Sequence, residues 1–111
     1  MKEYIICAAI HFNDGIEHPH QPDNIFDGFV VTGRRHHNCY ATLLAIATSI
    51  NLEERIKQLI SKTDIDRQGF ITNLNRFVDR KEGYQIALAA NQLIHNMHDK
   101  SNPILISEDL Y

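Results

Sequence analysis

Two groups of cations stand where a chain ordinarily places acids. Arg34-Arg35-His36-His37 falls where a strand-like run gives way to a helical pattern, and Arg80-Lys81 opens a second helical pattern. A helix N-terminus carries roughly half a positive charge and several unpaired backbone N–H groups, so a cation there costs a few tenths to about 1 kcal/mol. A bound anion reverses that sign, because hydrogen bonds to charged groups contribute about 1.5–3 kcal/mol each. Phosphate fits, and the planar fork of arginine suits it. The candidate ligand-binding residues are therefore Arg34, Arg35, His36, His37, Arg76, Arg80 and Lys81, with Tyr40 and Phe77 as aromatic walls on which a nucleobase can stack. A plainer reading stands beside this one. Asp79 and Glu82 flank the second pair and can neutralise it, Arg34 can point back along its strand, and each aromatic can belong to the core.

Other chemistries find less support. His18-x-His20 and His36-His37 offer imidazoles to a metal, but neighbours on a helix point about 100° apart, and no HExxH or CxxC accompanies them. No metal and no cofactor are expected. Cys39 follows His37 by two residues, which puts the two side chains on different sides of a helix, and Cys39 opens an apolar stripe. Cys7 and Cys39, the only cysteines, read as buried thiols. No carboxylate cluster spaced for two-metal chemistry, no Walker loop and no GxGxxG is present. The enzymatic alternative is a small phosphodiesterase or hydrolase with His36 or His37 as acid or base.

The elements that must hold these residues follow from periodicity. Tyr4 to Phe12 is a nearly unbroken apolar run ending at Asn13-Asp14-Gly15, which predicts a central strand and a tight turn. Three prolines between Ile16 and Asp27 predict a loop, and Gly28 to Thr32 a second strand. Arg35 to Ile50 is helical and apolar nearly all round, as in a helix buried in the core or in a subunit interface. Asn51 reads as the cap of a short helix, with Glu54 completing a capping box. Gln68–Thr72 and Arg76–Val78 read as a hairpin around Asn73-Leu74-Asn75. Asp79 and Glu82 form the capping pair of a helix from Arg80 to about Met97, with Gly83 weakening its first turn. The tail from Ile104 begins as a strand and ends acidic. A faint echo links Phe29–Ile50 and Phe77–Met97, each a strand, paired cations and a helix.

The expected fold class is α+β: a small, mainly antiparallel sheet packed by two long helices and one short helix. At 111 residues, with 43% apolar and 23% charged residues, a single domain over 1–111 is expected. A net charge of −3 gives no basic field for duplex nucleic acid. No apolar stretch reaches the roughly 18 residues of a membrane span, and no signal peptide is visible, so a cytoplasmic protein is expected.

Four segments taken in order carry a family resemblance: Gly33-Arg34-Arg35-His36-His37-Asn38-Cys39, Gln68-Gly69-Phe70, Arg76-Phe77-Val78-Asp79-Arg80-Lys81-Glu82, and Ser107-Glu108-Asp109-Leu110-Tyr111. Together they resemble a widespread family of small phage proteins, over nearly the whole chain. The association of that resemblance is with anti-CBASS sponges, phage anti-defence proteins that sequester cyclic nucleotide immune signals, in some relatives the cyclic ADP-ribose signal of Thoeris. It implies a non-enzymatic homo-oligomer, a tetramer, acting in the host cell cytosol. Its ligand would be a cyclic nucleotide signal molecule, bound without cleavage at sites shared between subunits. It carries Arg34, His36, His37, Arg76, Asp79 and Arg80 as motif positions. Gly83 and Asn91-Gln92 depart from it, standing at expected helix positions where alanine and glycine are more usual.

Overall fold

The nearly unbroken apolar run at the start of the chain becomes the strand on which everything else is laid. In a computed structural model, which describes residues 2–49, 51–62, 67–93, 104–106 and 110, the elements are β1 (Ile5–Phe12), β2 (Phe29–Gly33), α1 (His36–Ser49), α2 (Glu53–Lys62), β3 (Gln68–Thr72), β4 (Phe77–Asp79) and α3 (Arg80–Ala89). The four strands form one sheet in the order β2-β1-β3-β4, with every pairing antiparallel. The molecule is thus α+β, with a small antiparallel sheet and three helices. Among the described residues no helix is long and apolar enough to cross a membrane.

Parity along β1 decides where the helices go. Ala8, Ile10 and Phe12 share one face of the sheet and are fully buried. Phe70 lies opposite Ala8 and Val78 opposite Phe70, which continues that face across the sheet. α1 packs on it through Cys39 and Leu43 with Ile10 and Phe12, and α3 through Tyr84 and Ala87 with Ala8, Phe70 and Val78. Burial of each large side chain contributes about 1.5–3 kcal/mol. The opposite face is partly covered by the proline-bearing segment. His11 donates from Nε2 to the Asp27 carbonyl (2.8 Å), and the Asn24 amide bonds both the N–H and the C=O of Phe77 (2.8 and 2.6 Å).

The echo in the sequence has a structural counterpart. Hairpin β1-β2 leads into α1 and hairpin β3-β4 leads into α3, so the fold is two ββα halves joined along β1 and β3. Both helices also stop in the same way. Asn51 (φ 60°) and Asn91 (φ 58°) occupy the left-handed region, where asparagine is tolerated better than most residues. The N–H of Leu52 bonds Ala47 O and that of Asn51 bonds Thr48 O. At the other end Gln92 bonds Ala87 O and Asn91 bonds Leu88 O. These paired bonds are Schellman closures.

That geometry corrects several expectations. Asn51 ends α1 and does not cap the next helix; the carbonyl of Leu52 accepts the first bond of α2, from Ile56 N–H (3.1 Å). α3 stops at Ala89, well short of Met97, because Asn91 turns the chain out of the helix; residues 94–97 lie outside the described residues. The described residues of the tail add no strand. Ile104–Ile106 is irregular, held by a bond from Leu105 N–H to Arg80 O (2.9 Å) with Leu105 fully buried. The acidic residues Glu108 and Asp109 lie outside the described residues. α1 is less enclosed than its composition implied, burying Cys39, Leu43 and Ala47 and leaving Ile46 at 54% exposure.

The unusual residues of α3 now have reasons. A side chain at Gly83 would sit 3.2 Å from Phe70 and 3.3 Å from Leu105, so glycine lets the helix lie close to the sheet. Gln92 donates from Nε2 to Ile5 O and accepts at Oε1 from Ile5 N–H, both at 2.8 Å, beside the β-bulge that separates Ile5 from Cys7. Its amide serves as a one-residue strand on the edge of β1 beyond the last β2 pair, Ala8–Gly33. Gln92→Ala removes both bonds and is expected to lower stability by about 1–3 kcal/mol in urea unfolding, with Gln92→Glu equally harmful because a carboxylate cannot donate to Ile5 O.

Candidate functional site

Helices α1 and α3 begin at the same level of the sheet and run away from it in opposite directions. β2 delivers the chain at Gly33, opposite Ala8, and β4 delivers it at Asp79, opposite Gly69, itself the partner of Ala9. α1 then climbs toward Phe12, against which Tyr40 packs edge-on at 5.9 Å. α3 descends toward Ile5, where Gln92 is bonded. The positive ends of both helices therefore meet near Gly69. Gly69 has no room for a side chain, since a Cβ would collide with the Val78 carbonyl oxygen and the Phe77 ring.

The start of α1 is closed from within. Arg35 is the residue before the helix, and its carbonyl accepts from Asn38 and Cys39 N–H (3.0 and 3.3 Å). Asn38 reaches back, accepting from Arg35 N–H at 3.1 Å, which is half of a capping box built with asparagine. No acid stands in the first turn of α1. His36 donates from Nε2 to Gly69 O (2.9 Å) and meets the Phe70 ring edge-on at 5.3 Å, so this histidine ties the helix start to the central sheet. At α3, Asp79 Oδ1 accepts from Glu82 N–H at 2.8 Å, as the sequence predicted. The carboxylate of Glu82 turns to Arg76 (2.9 Å), which leaves the capping box one-armed.

Between the two helix starts lies Gln68, on the same face as Phe70. It donates from Nε2 to Tyr40 Oη at 3.2 Å and accepts at Oε1 from Arg80 Nη2. The structure thus brings His36, Tyr40 and Arg80 together around Gln68 and Gly69, with Arg35 at the mouth of α1. Gln68 was not among the sequence candidates; its signal was a polar residue two positions before Phe70, on what had to be the core face of a strand. Arg34, His37 and Lys81 are exposed. Two candidates are placed elsewhere. Phe77 faces the opposite side of the sheet, its ring 5.9 Å from that of His11. Arg76 holds Glu3 through two bonds (2.9 and 2.8 Å) and Glu82 through a third, so its charge is matched by carboxylates. A second missed pair is His11 and Arg67, whose guanidinium donates to His11 Nδ1 at 3.0 Å; the signal was a histidine inside an apolar run.

Both thiols are held toward their protonated form, Cys39 buried and Cys7 half-buried. Burial, reinforced by the neighbouring Cys7, pushes Cys39 up to about 11, and burial also raises Cys7. The Cys39 Sγ lies 3.8 Å from Ala8 O and 3.6 Å from Arg35 O, contacts of a packed thiol. Among the described residues no cluster of three metal-ligating side chains occurs.

A known family covers this entire arrangement. The phage T4 y16D protein family matches residues 4–111. The chain belongs to that family. The resemblance to small phage proteins is therefore borne out, at the level of the phage family. No curated protein and no solved structure matches the sequence.

The Arg76 pair sets an acid limit on this y16D-family fold. Hydrogen bonds from Arg76 and then Thr72 hold the Glu3 carboxyl below its usual range. A depressed carboxylate stabilises the fold above its unfolded value and loses that contribution as pH falls through the folded value. Urea midpoints of wild type and Glu3→Gln should therefore differ at pH 7 and converge progressively below about pH 4.5; a gap that stays constant down to pH 3 contradicts the pairing.

Proposed function

We infer that this phage protein is a non-catalytic binder of a small phosphate-bearing nucleotide, held where the starts of α1 and α3 meet. The observation that carries the reading is the convergence of two helix N-termini at Gly69, with Arg80, Tyr40 and His36 gathered there and no acid in the first turn of α1. Helix N-termini favour anions, and a phosphate there accepts from backbone and guanidinium donors together. Tyr40 supplies an aromatic edge for a base. Arg34, Arg35, His37 and Lys81 flank the same helix starts in sequence and complete a cationic rim; Arg76 and Phe77 act as supports in this reading, since the first is bonded to two carboxylates and the second lies on the other face.

A cyclic nucleotide immune signal is the ligand the family resemblance points to, sequestered without cleavage as an anti-defence activity. Two features support binding over turnover. The His36 Nε2 proton is committed to a backbone carbonyl, and Cys39 is a buried thiol with a raised pKa. Groups fixed in advance by Gln68 and Gly69 lose little freedom on binding, which favours affinity. Assembly into a homo-oligomer, a tetramer, belongs to the same reading. α1 carries no arginine, lysine, aspartate or glutamate along its 14 residues, and Ile46 is exposed.

A thermal-shift panel of cyclic dinucleotides, cyclic trinucleotides and cyclic ADP-ribose species tests this. One member should raise Tm by several degrees at concentrations far above its Kd, and Arg80→Gln should weaken that ligand about tenfold or more. The bound compound should be recovered unchanged after heating. Recovery of linear or dephosphorylated product favours the hydrolase alternative, and no shift with any member rejects a nucleotide ligand.

A further inference from the structure

A second concavity lies away from the helix starts. An open pocket of about 470 Å³ sits where the ends of β1 and β2 face α2, lined by Asn13, Asp14, Phe29, Leu52, Arg55 and Ile56 among others. Its size falls in the range of small-molecule sites, roughly 300–1,000 Å³. It shares no residue with the cluster around Gln68.

The pocket has an apolar floor and two charged groups of opposite sign, one engaged by the fold and one not. Phe29, Leu52 and Ile56 form the floor, and Leu52 is 40% exposed despite being apolar. Phe29 is fixed from two sides, stacked on Phe12 at 5.7 Å and met edge-on by His18 at 5.4 Å. Of the two charged groups in the lining, Asp14 is engaged: it accepts from Ile16 N–H at 3.0 Å and pairs with His18 at 2.7 Å. Arg55 makes no side-chain hydrogen bond or ion pair among the described residues. Asn13 uses its Oδ1 on Gly15 N–H (2.9 Å), and its amide nitrogen is uncommitted among the described residues. With the Asp14 carboxylate held by its own partners, the groups left to meet a ligand are the Arg55 guanidinium and the Asn13 amide over an aromatic and aliphatic floor, which suits an anion with a flat apolar body.

We propose that this pocket binds a small organic anion, a planar ring bearing one carboxylate or phosphate, with the ring against Phe29 and Leu52 and the anionic group on Arg55. The ring displaces water from exposed apolar surface, and the guanidinium gains the partner that the fold does not supply. Neither half suffices alone: a bare anion leaves the floor wet, and an uncharged ring leaves Arg55 unmatched.

The test is an amide chemical-shift titration of the whole protein with 5′-AMP, benzoate and inorganic phosphate. 5′-AMP, benzoate or both should shift the amides of Asn13, Asp14, Phe29 and Arg55, more tightly than phosphate does. Arg55→Gln, at an exposed helix position that the fold does not use, should weaken the effect about tenfold. Arg80→Gln should leave these shifts in place, which separates this pocket from the helix-start site whichever of the two fails. The proposal is overturned if neither organic anion shifts these amides, if phosphate alone binds as tightly, or if Arg55→Gln leaves the affinity unchanged.

Discussion

The antiparallel ladder between β1 and β3 is the constraint on which the other features depend. It sets Ala8 against Phe70 and Ala9 against Gly69, and so fixes how the two ββα halves face each other. Because the ladder is antiparallel, the halves point in opposite directions, and the strand that feeds each helix ends near the same rung. A parallel pairing would have put the two helix starts at one end of the sheet, side by side and pointing the same way. Here they meet in the middle and diverge. The rung at Gly69 must also be narrow, since the Val78 carbonyl and the Phe77 ring occupy the space of any side chain. The same residue offers its carbonyl to His36. One register thus determines the close approach of β4, the anchoring of α1 and the place where two positive helix ends coincide.

The cations divide according to what lies within reach. Arg76 stands near the turn of the β3-β4 hairpin, where Glu3 arrives from the start of the chain and Glu82 from the first turn of α3. Its three charged bonds fasten the N-terminal segment, the hairpin and the helix together, and that is a role in stability. Arg80, four residues on, bonds the amide of Gln68, which places its guanidinium between the starts of α1 and α3. Two arginines close in sequence are thus turned to different parts of the fold.

Much of this was legible in the sequence, and the gaps have physical causes. Strand β1, the β3-β4 hairpin, the Asp79 cap and the α+β class follow from local signals, because periodicity, turn residues and caps act within a few positions. The role of Asn51 and the end of α3 were misread for one reason. Asparagine serves both as an N-cap and as a left-handed terminator, so Asn51 passed for the start of α2, and the apolar pattern beyond Asn91 continued as if α3 did. The remaining gaps are long-range. Glu3 meets Arg76 across 73 positions and Gln92 meets Ile5 across 87, and no local pattern announces such a bond. Gln68 and His11 were the exceptions, polar residues on faces that had to be buried, which is where a partner must exist.

The construction of the Gln68 cluster bears on whether it serves affinity or turnover. A catalytic acid or base needs a proton that can leave or arrive during the reaction. His36 spends its Nε2 proton on Gly69 O, Tyr40 receives a bond from Gln68, and Gln68 is itself bonded to Arg80. Each group is fixed by a neighbour before any ligand arrives, and the backbone donors of a helix start cannot transfer a proton at neutral pH. On the reading proposed above, such a site would differ little between its empty and filled states, so the free energy of its contacts would be expressed as affinity rather than consumed in rearrangement. Catalysis would instead require contacts that strengthen only as the reacting atoms move. Fixed helix ends over a glycine rung are of the first kind, and this is the physical ground on which the proposed sequestering role rests.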